Sequence, residues 1–454
     1  MNAFLLLFSP LLLLIIIDLA NAAAASSPQS WKQWSCDELT PNLCELQVES
    51  GSVTIQSIPV KYWRYTRKKS DDTAPQQKDE SSISHSIVAL HGGPGWPHSY
   101  LLPLKQLACR GDTAEVIFYD QAGCGESIIP STDAEENNEG AASSSSSMNN
   151  VKDHYPHLLD PKYYSEIELP TLIDHWKLHH YHILGHSWGT ILAQLFALNN
   201  NAQNNTIMEG LQSLILSGPI SDAKRYIAAQ WDEKEGDNLA SLPPFVQGRI
   251  HALEDEKAYD TPEYEAIDAV LSTFFTMRTA PVPDCFSISA NGLNKEIYVG
   301  MQGASEFTIS GVLGDLNLTS RLPELTIPVL LTHGKFDTMR PSTVKTMQDQ
   351  IKISERVFFP HSGHVSMIDD PGLMNDAVAD FIHRVENGLE VGMTVEVAAA
   401  PDDDVNVEEG GNIVQRIPSR SLTWIKVVTA FLAGWVIGEL KIGRRMNGNG
   451  YTSV

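Results

Sequence analysis

Short apolar runs recur through the middle of the chain, at Ile87–Leu90, Glu115–Tyr119, His182–Leu184, Ser213–Leu216, Pro328–Leu331 and Arg356–Phe359. Each reads as a strand. Between several of them the apolar residues fall at helical spacing: Leu169, Leu172, Ile173 and Trp176 occupy i, i+3, i+4 and i+7, and Met374, Ala377, Val378 and Phe381 repeat the pattern. Strands alternating with helices imply right-handed crossovers, and predict an α/β fold with a mostly parallel central sheet. Some segments break the rhythm. Lys68–Ser82 is polar enough for a solvated loop between early strands, and Ser131–Asn150 is low-complexity. A helix-rich stretch of about Ser221 to Leu322 separates two sheet strands and reads as a cap. Residues 387–421 are acidic and resemble a stalk.

The two ends are patterned differently. Phe4–Ile17 runs apolar, broken only by Ser9-Pro10, and leads to Ala20-Asn21-Ala22, an A-x-A cleavage pattern, so residues 1–22 read as a signal peptide. Leu422–Leu440 reads as a transmembrane helix, with Lys426 and Glu439 near its ends where long side chains can snorkel. Lys441, Arg444 and Arg445 follow, which places the tail, 441–454, in the cytoplasm. This predicts a single-pass membrane protein of the secretory pathway with its bulk lumenal or extracellular, secretion being the alternative. Ala430, Gly434 and Gly438 form a small-residue face that could pair two spans in a homo-oligomer.

Composition narrows the class further. Among 454 residues, 56 are Asp or Glu and 32 Lys or Arg, a net charge of −24 that speaks against a nucleic-acid partner. Hydrophobic residues at 42% and charged ones at 19% suit a globular protein. Cys36, Cys44, Cys109, Cys124 and Cys285 are odd in number; Cys36 and Cys44 are close enough for a small disulfide loop, with connectivity open. Asn204-Asn205-Thr206 and Asn317-Leu318-Thr319 are glycosylation acceptors in an exported chain.

Two glycine-rich motifs carry the chemistry. Gly185-His186-Ser187-Trp188-Gly189 is G-x-S-x-G between a strand and a helical run, the context of a nucleophile elbow with Ser187 as nucleophile. An attacking serine creates an oxyanion that two backbone N–H groups must meet. One belongs to Trp188. The other is expected from His91-Gly92-Gly93-Pro94-Gly95, directly after a strand, with Gly93 ahead of Gly92. A base and an orienting acid should follow in the order Ser, acid, His. Asp337 lies beyond one strand and His364 beyond the next; His361 reads as structural, and Asp369 and Asp370 as helix caps. His179–His182, "HHYH", lacks ligand spacing on one face and reads as surface, so no metal or cofactor is expected.

With these motifs in place, the chain resembles the proline iminopeptidase (prolyl aminopeptidase) family of α/β-hydrolases, especially its tricorn-interacting aminopeptidase branch. The resemblance spans roughly Val48 to Val385. It rests on "HGGPGWPHSYL", "YDQAGCGES", "GHSWG", "GASEFTISG", "GKFDTMRP" and "SGH" in that order. It implies an α/β-hydrolase core in two parts, 45–220 and 323–386, around a helical cap at 221–322. It also implies removal of an N-terminal residue from short peptides. Family members resemble one another in placing cap glutamates against the substrate ammonium, and Glu306 matches one such position. A second is not found around Phe274–Arg278, which leaves room for an amidase or esterase acting on amino-acid derivatives. Epoxide hydrolysis is disfavoured because the elbow carries Ser rather than Asp. A membrane-tethered, non-catalytic binding protein would be marked by a lost triad residue, and none is lost.

Overall fold

Strands buried on both faces favour long apolar runs, and Ile87–Leu90 is one. Ile87 and Ala89 face one layer of the core, Val88 and Leu90 the other, and all four are at most 1% exposed. The computed structural model describes residues 34–68, 84–130, 151–200, 209–392 and 394–396. Its strands are β1 (Leu46–Ile55), β2 (Ile58–Arg67), β3 (His85–Leu90), β4 (Thr113–Tyr119), β5 (Tyr181–His186), β6 (Leu211–Ser217), β7 (Val329–Gly334), β8 (Ser354–Phe359) and β9 (Thr394–Glu396). They form one nine-stranded sheet in the order β1-β2-β4-β3-β5-β6-β7-β8-β9. Every neighbouring pair from β4 to β9 is parallel, while β1 and β2 form an antiparallel hairpin that joins β4 antiparallel. The mostly parallel sheet of an α/β-hydrolase fold is therefore present.

The helices cover both faces. α1 (Leu169–Trp176) buries the residues of its predicted stripe, and Lys177 ends it in the left-handed conformation at φ 55°. α2 (Trp188–Asn200) starts at the elbow. Between β6 and β7 lie α3 (Ala223–Gln230), α4 (Pro244–Asp255), α5 (Pro262–Phe275), α6 (Asp284–Asn291) and α7 (Lys295–Met301). α4 and α5 enclose an apolar cluster of their own, including Val246, Ile250, Ile267 and Leu271. α5 begins as its sequence dictates: Thr261 accepts from the Tyr264 N–H, and Pro262 takes the first turn, where its missing N–H is harmless. α8 (Pro341–Gln350) and α9 (Pro371–Glu386) complete the core.

Some expectations are corrected. Cys36 pairs with Cys285 and Cys44 with Cys109, not with each other. Cys36 packs against α6 at a Cα separation of 5.8 Å, and Cys44 against Cys109 at 5.6 Å, both within disulfide reach. Cys124 is free and buried. The segment read as stalk contributes β9, which pairs with β8. His182 is buried rather than surface because it lies in β5, a strand covered on both faces. Asn317 is exposed, and its side-chain amide donates to Asp222. Residues 1–22, Ser131–Asn150, Asn204, and Leu422–Leu440 with its tail lie outside the described residues. Among the described residues, no helix is long and apolar enough to cross a membrane.

Candidate active site

The loops after β3, β5, β7 and β8 meet at the carboxyl edge of the sheet, where ligands of open α/β sheets bind. β5 turns sharply into α2 at Ser187, which is held at φ 56°. A non-glycine residue there is strained. The turn survives because its flanks are glycine: a Cβ on Gly189 would collide with the Leu90 carbonyl of the neighbouring strand. In the loop after β3, Gly93 adopts φ 116°, a conformation that side chains rarely reach.

Asp337 and His364 come together. His364 Nδ1 lies 2.8 Å from Asp337 Oδ1, which also accepts from the Met339 N–H at 2.8 Å. Asp337 is fully buried, and the buried Arg340 guanidinium fixes its loop by donating to the Lys335, Asp337 and Gly236 carbonyls. The His364 loop is held by the cap: the His364 and Val365 N–H groups donate to the Phe275 and Thr276 carbonyls. Burial alone would lower the His364 pKa, but Asp337 and then Glu306 outweigh it, and the net shift is upward. His364 Nε2 has no hydrogen-bond partner among the described residues, and lines the same cavity as Ser187.

Asp369 and Asp370 are not the acid, nor do their carboxylates cap a helix. Asp369 accepts from the N–H groups of Gly363, Arg278 and Thr279, tying the histidine loop to the cap. Asp370 occupies the N-cap position of α9, yet its carboxylate accepts from the Ser362 hydroxyl. His361 is exposed rather than structural.

A bridge links the elements. Tyr100 Oη accepts from the Gly92 N–H at 2.7 Å and lies 2.7 Å from His186 Nδ1, while His186 Nε2 lies 3.0 Å from the His364 carbonyl. His186 is buried and its pKa is held well below the ordinary value, chiefly by burial, so its Nε2–H donates to that carbonyl and the Tyr100 hydroxyl to Nδ1. The Gly92 N–H is thus occupied by Tyr100. Neither Tyr100 nor His186 is conspicuous in the sequence: one follows the glycine loop and the other is the variable position before the elbow serine.

These groups surround a cavity of about 270 Å³ lined by Gly93, Trp96, Tyr100, Ser187, Asp268, Phe286, Tyr298, Glu306 and His364. Glu306 lies 3.6 Å from His364 Nε2. Burial pushes its carboxyl up to about 7, with His364 pulling the other way and Asp268 adding to the rise. Asp268, on α5, is pushed by burial to about 6, and its Oδ1 has no hydrogen-bond partner among the described residues. A second carboxylate, Asp268, thus lines the cavity beside Glu306. It lies upstream of Phe274–Arg278 on the same helix, and is Asp rather than Glu. Among the described residues, no grouping of metal-ligand type faces this cavity.

Residues 86–371 match the alpha/beta hydrolase fold family. Proline iminopeptidase of Lactobacillus helveticus is 32% identical over 291 residues, which cover 64% of this chain and 87% of the relative. That of Heyndrickxia coagulans is 31% identical over 311 residues, 68% of this chain and 94% of the relative. The chain belongs to the proline iminopeptidase family of α/β-hydrolases. It is accordingly a hydrolase of the serine aminopeptidase kind. In fold it is similar to the crystal structure of proline iminopeptidase from Mycobacterium smegmatis, with a TM-score of 0.60 and 24% identity, covering 75% of this chain and 99% of that one.

Proposed function

We propose that the protein releases the N-terminal residue from short peptides through an acyl-enzyme formed on Ser187. His364 takes the Ser187 proton at Nε2 and returns it to the leaving amine, while Asp337 keeps the ring's other N–H oriented. The N–H groups of Gly93 and Trp188 meet the oxyanion. Water then hydrolyses the ester with His364 again as base.

The observation that carries the exopeptidase reading is the pair of half-buried carboxylates, Glu306 and Asp268, on the wall that holds Ser187 and His364. Carboxylates withdrawn from water without a cation are costly, and a substrate ammonium supplies one. Trp96 and Phe286, with ring centroids 5.3 Å apart, offer an apolar wall suited to a proline ring. The relatives are proline iminopeptidases, which supports proline; the tricorn-interacting branch is a finer part of the same proposal. The amidase or esterase reading uses the same machinery without the ammonium pocket.

The purified protein, given aminoacyl fluorogenic amides of Pro and Ala beside their N-acetylated forms, decides between them. Free amines cleaved at least about 100-fold faster are expected. Equal cleavage of both would replace the exopeptidase reading with the esterase one.

We also propose the secretory topology, with residues 1–22 removed and Leu422–Leu440 as stop-transfer. In intact microsomes the hydrolase domain should resist protease while a C-terminal tag is lost. Release of the full-length protein by carbonate would overturn the span.

A further inference from the structure

At the opposite edge of the sheet, side chains from distant parts of the chain converge. His85 opens β3, His182 is the second residue of β5, and Glu386 ends α9. Their ligating atoms lie within 4.8 Å of one another. His85 and His182 are 3% and 0% exposed, and the Glu386 side chain 16%. Buried polar atoms are normally paired. Here His85 Nδ1, His182 Nε2 and Glu386 Oε1 have no hydrogen-bond partner among the described residues. His182 Nε2 and Glu386 Oε1 approach to 3.0 Å, but outside hydrogen-bond alignment.

The outward atom of each group is engaged. His85 Nε2 lies 3.0 Å from Thr113 Oγ1, His182 Nδ1 2.7 Å from Ser213 Oγ, and Glu386 Oε2 2.7 Å from His180 Nε2. With the ring N–H groups donating outward, two imidazole lone pairs and a carboxylate oxygen face one another. In that tautomer the three atoms form a donor set for a cation; in the other, His182 Nε2–H faces Glu386 Oε1 instead. The former is also the outer-partner arrangement that orients ligands in metal sites.

We propose that His85, His182 and Glu386 form a Zn²⁺ site that pins α9 to the base of the sheet. Two imidazoles and a carboxylate suit Zn²⁺, whereas Ca²⁺ and Mg²⁺ favour oxygen ligands throughout. Tetrahedral Zn²⁺ with bonds of ~2.0–2.2 Å places its ligand atoms about 3.3 Å apart. One pair already stands at 3.0 Å, and the ligating atoms of all three lie within 4.8 Å of one another. Water takes the fourth position from the side where the His180 side chain is 23% exposed. The site is structural: His182 and Ser187 are five residues apart along an extended strand, about 16 Å.

The test uses the full chain, free of any affinity tag and stripped with chelator, titrated with Zn²⁺ and with Co²⁺. One equivalent should bind, the Co²⁺ form should show the visible absorption of a four-coordinate centre, and Zn²⁺ should raise Tm with kcat/KM unchanged. His85→Gln and Glu386→Gln should each lose the stoichiometric equivalent, with fluorophosphonate labelling confirming their fold. Ser213→Ala, which keeps all three ligands, should bind 10-fold or more weakly. Wild type that binds no more Zn²⁺ than Glu386→Gln, or a Tm that Zn²⁺ does not move, would overturn the site and leave adventitious binding by surface histidines.

Discussion

Glu306→Gln separates recognition from chemistry, because its two expected effects have opposite signs. The carboxyl stands at about 7 rather than 4.5, mainly through burial. A folded-state pKa raised this far means that the folded protein holds a proton the unfolded chain has released. Stability therefore falls as pH rises from 4.5 through 7, by up to about 3 kcal/mol. The glutamine variant does not titrate, so it should gain stability over wild type at pH 8 and little at pH 5. Activity should move the other way. Without the carboxylate a bound ammonium loses its partner, and kcat/KM for a free-amine amide should fall by roughly 2–5 kcal/mol, about 30- to 5,000-fold. Glu306 also lies 3.6 Å from His364 Nε2, so its loss lowers the histidine pKa for every substrate alike. The deciding quantity is thus the ratio of losses on a free-amine amide and its N-acetylated ester, measured beside urea unfolding at both pH values. Equal losses on the two substrates, or a variant less stable than wild type at pH 8, would refute the assignment.

Free-amine substrates need Glu306 and Asp268 ionised, at about 7 and about 6, and their own amine protonated. Their kcat/KM should rise through pH 7 and fall above about pH 8, where an α-amino group deprotonates, whereas an N-acetylated ester should reach a plateau; identical profiles would contradict the pocket. Tyr100→Phe strips partners from the Gly92 N–H and His186 Nδ1, each a buried group worth about 1–3 kcal/mol when left unpaired. Its kcat should drop about 10-fold or more with KM little changed, and an unaltered kcat would show that the bridge positions nothing.

The sequence revealed what repeats locally and hid what depends on distant partners. β3 to β8 were legible because each strand, covered on both faces, carries a short apolar run. β1 and β2 were not, because their turn is Gln56-Ser57, both at positive φ, without the Asn-Gly that usually marks such a hairpin. The disulfides join residues 249 and 65 positions apart, which no spacing rule reaches. Ser187, Asp337 and His364 could be singled out as candidates because each follows a strand, whereas Asp268, which lines the same cavity, is an acid on a helix that carries others on its exposed face. His182 was misjudged for the reverse reason: "HHYH" is polar as a string, but its last residue belongs to a buried strand.

The central claim is that Ser187 is the nucleophile of this site, and covalent labelling tests it most directly. Wild type treated with a fluorophosphonate and digested should yield a single modified peptide with the adduct on Ser187. Ser187→Ala should remain folded and unlabelled, with turnover reduced by several orders of magnitude. An adduct on another residue, or equal labelling of the variant, would contradict the account.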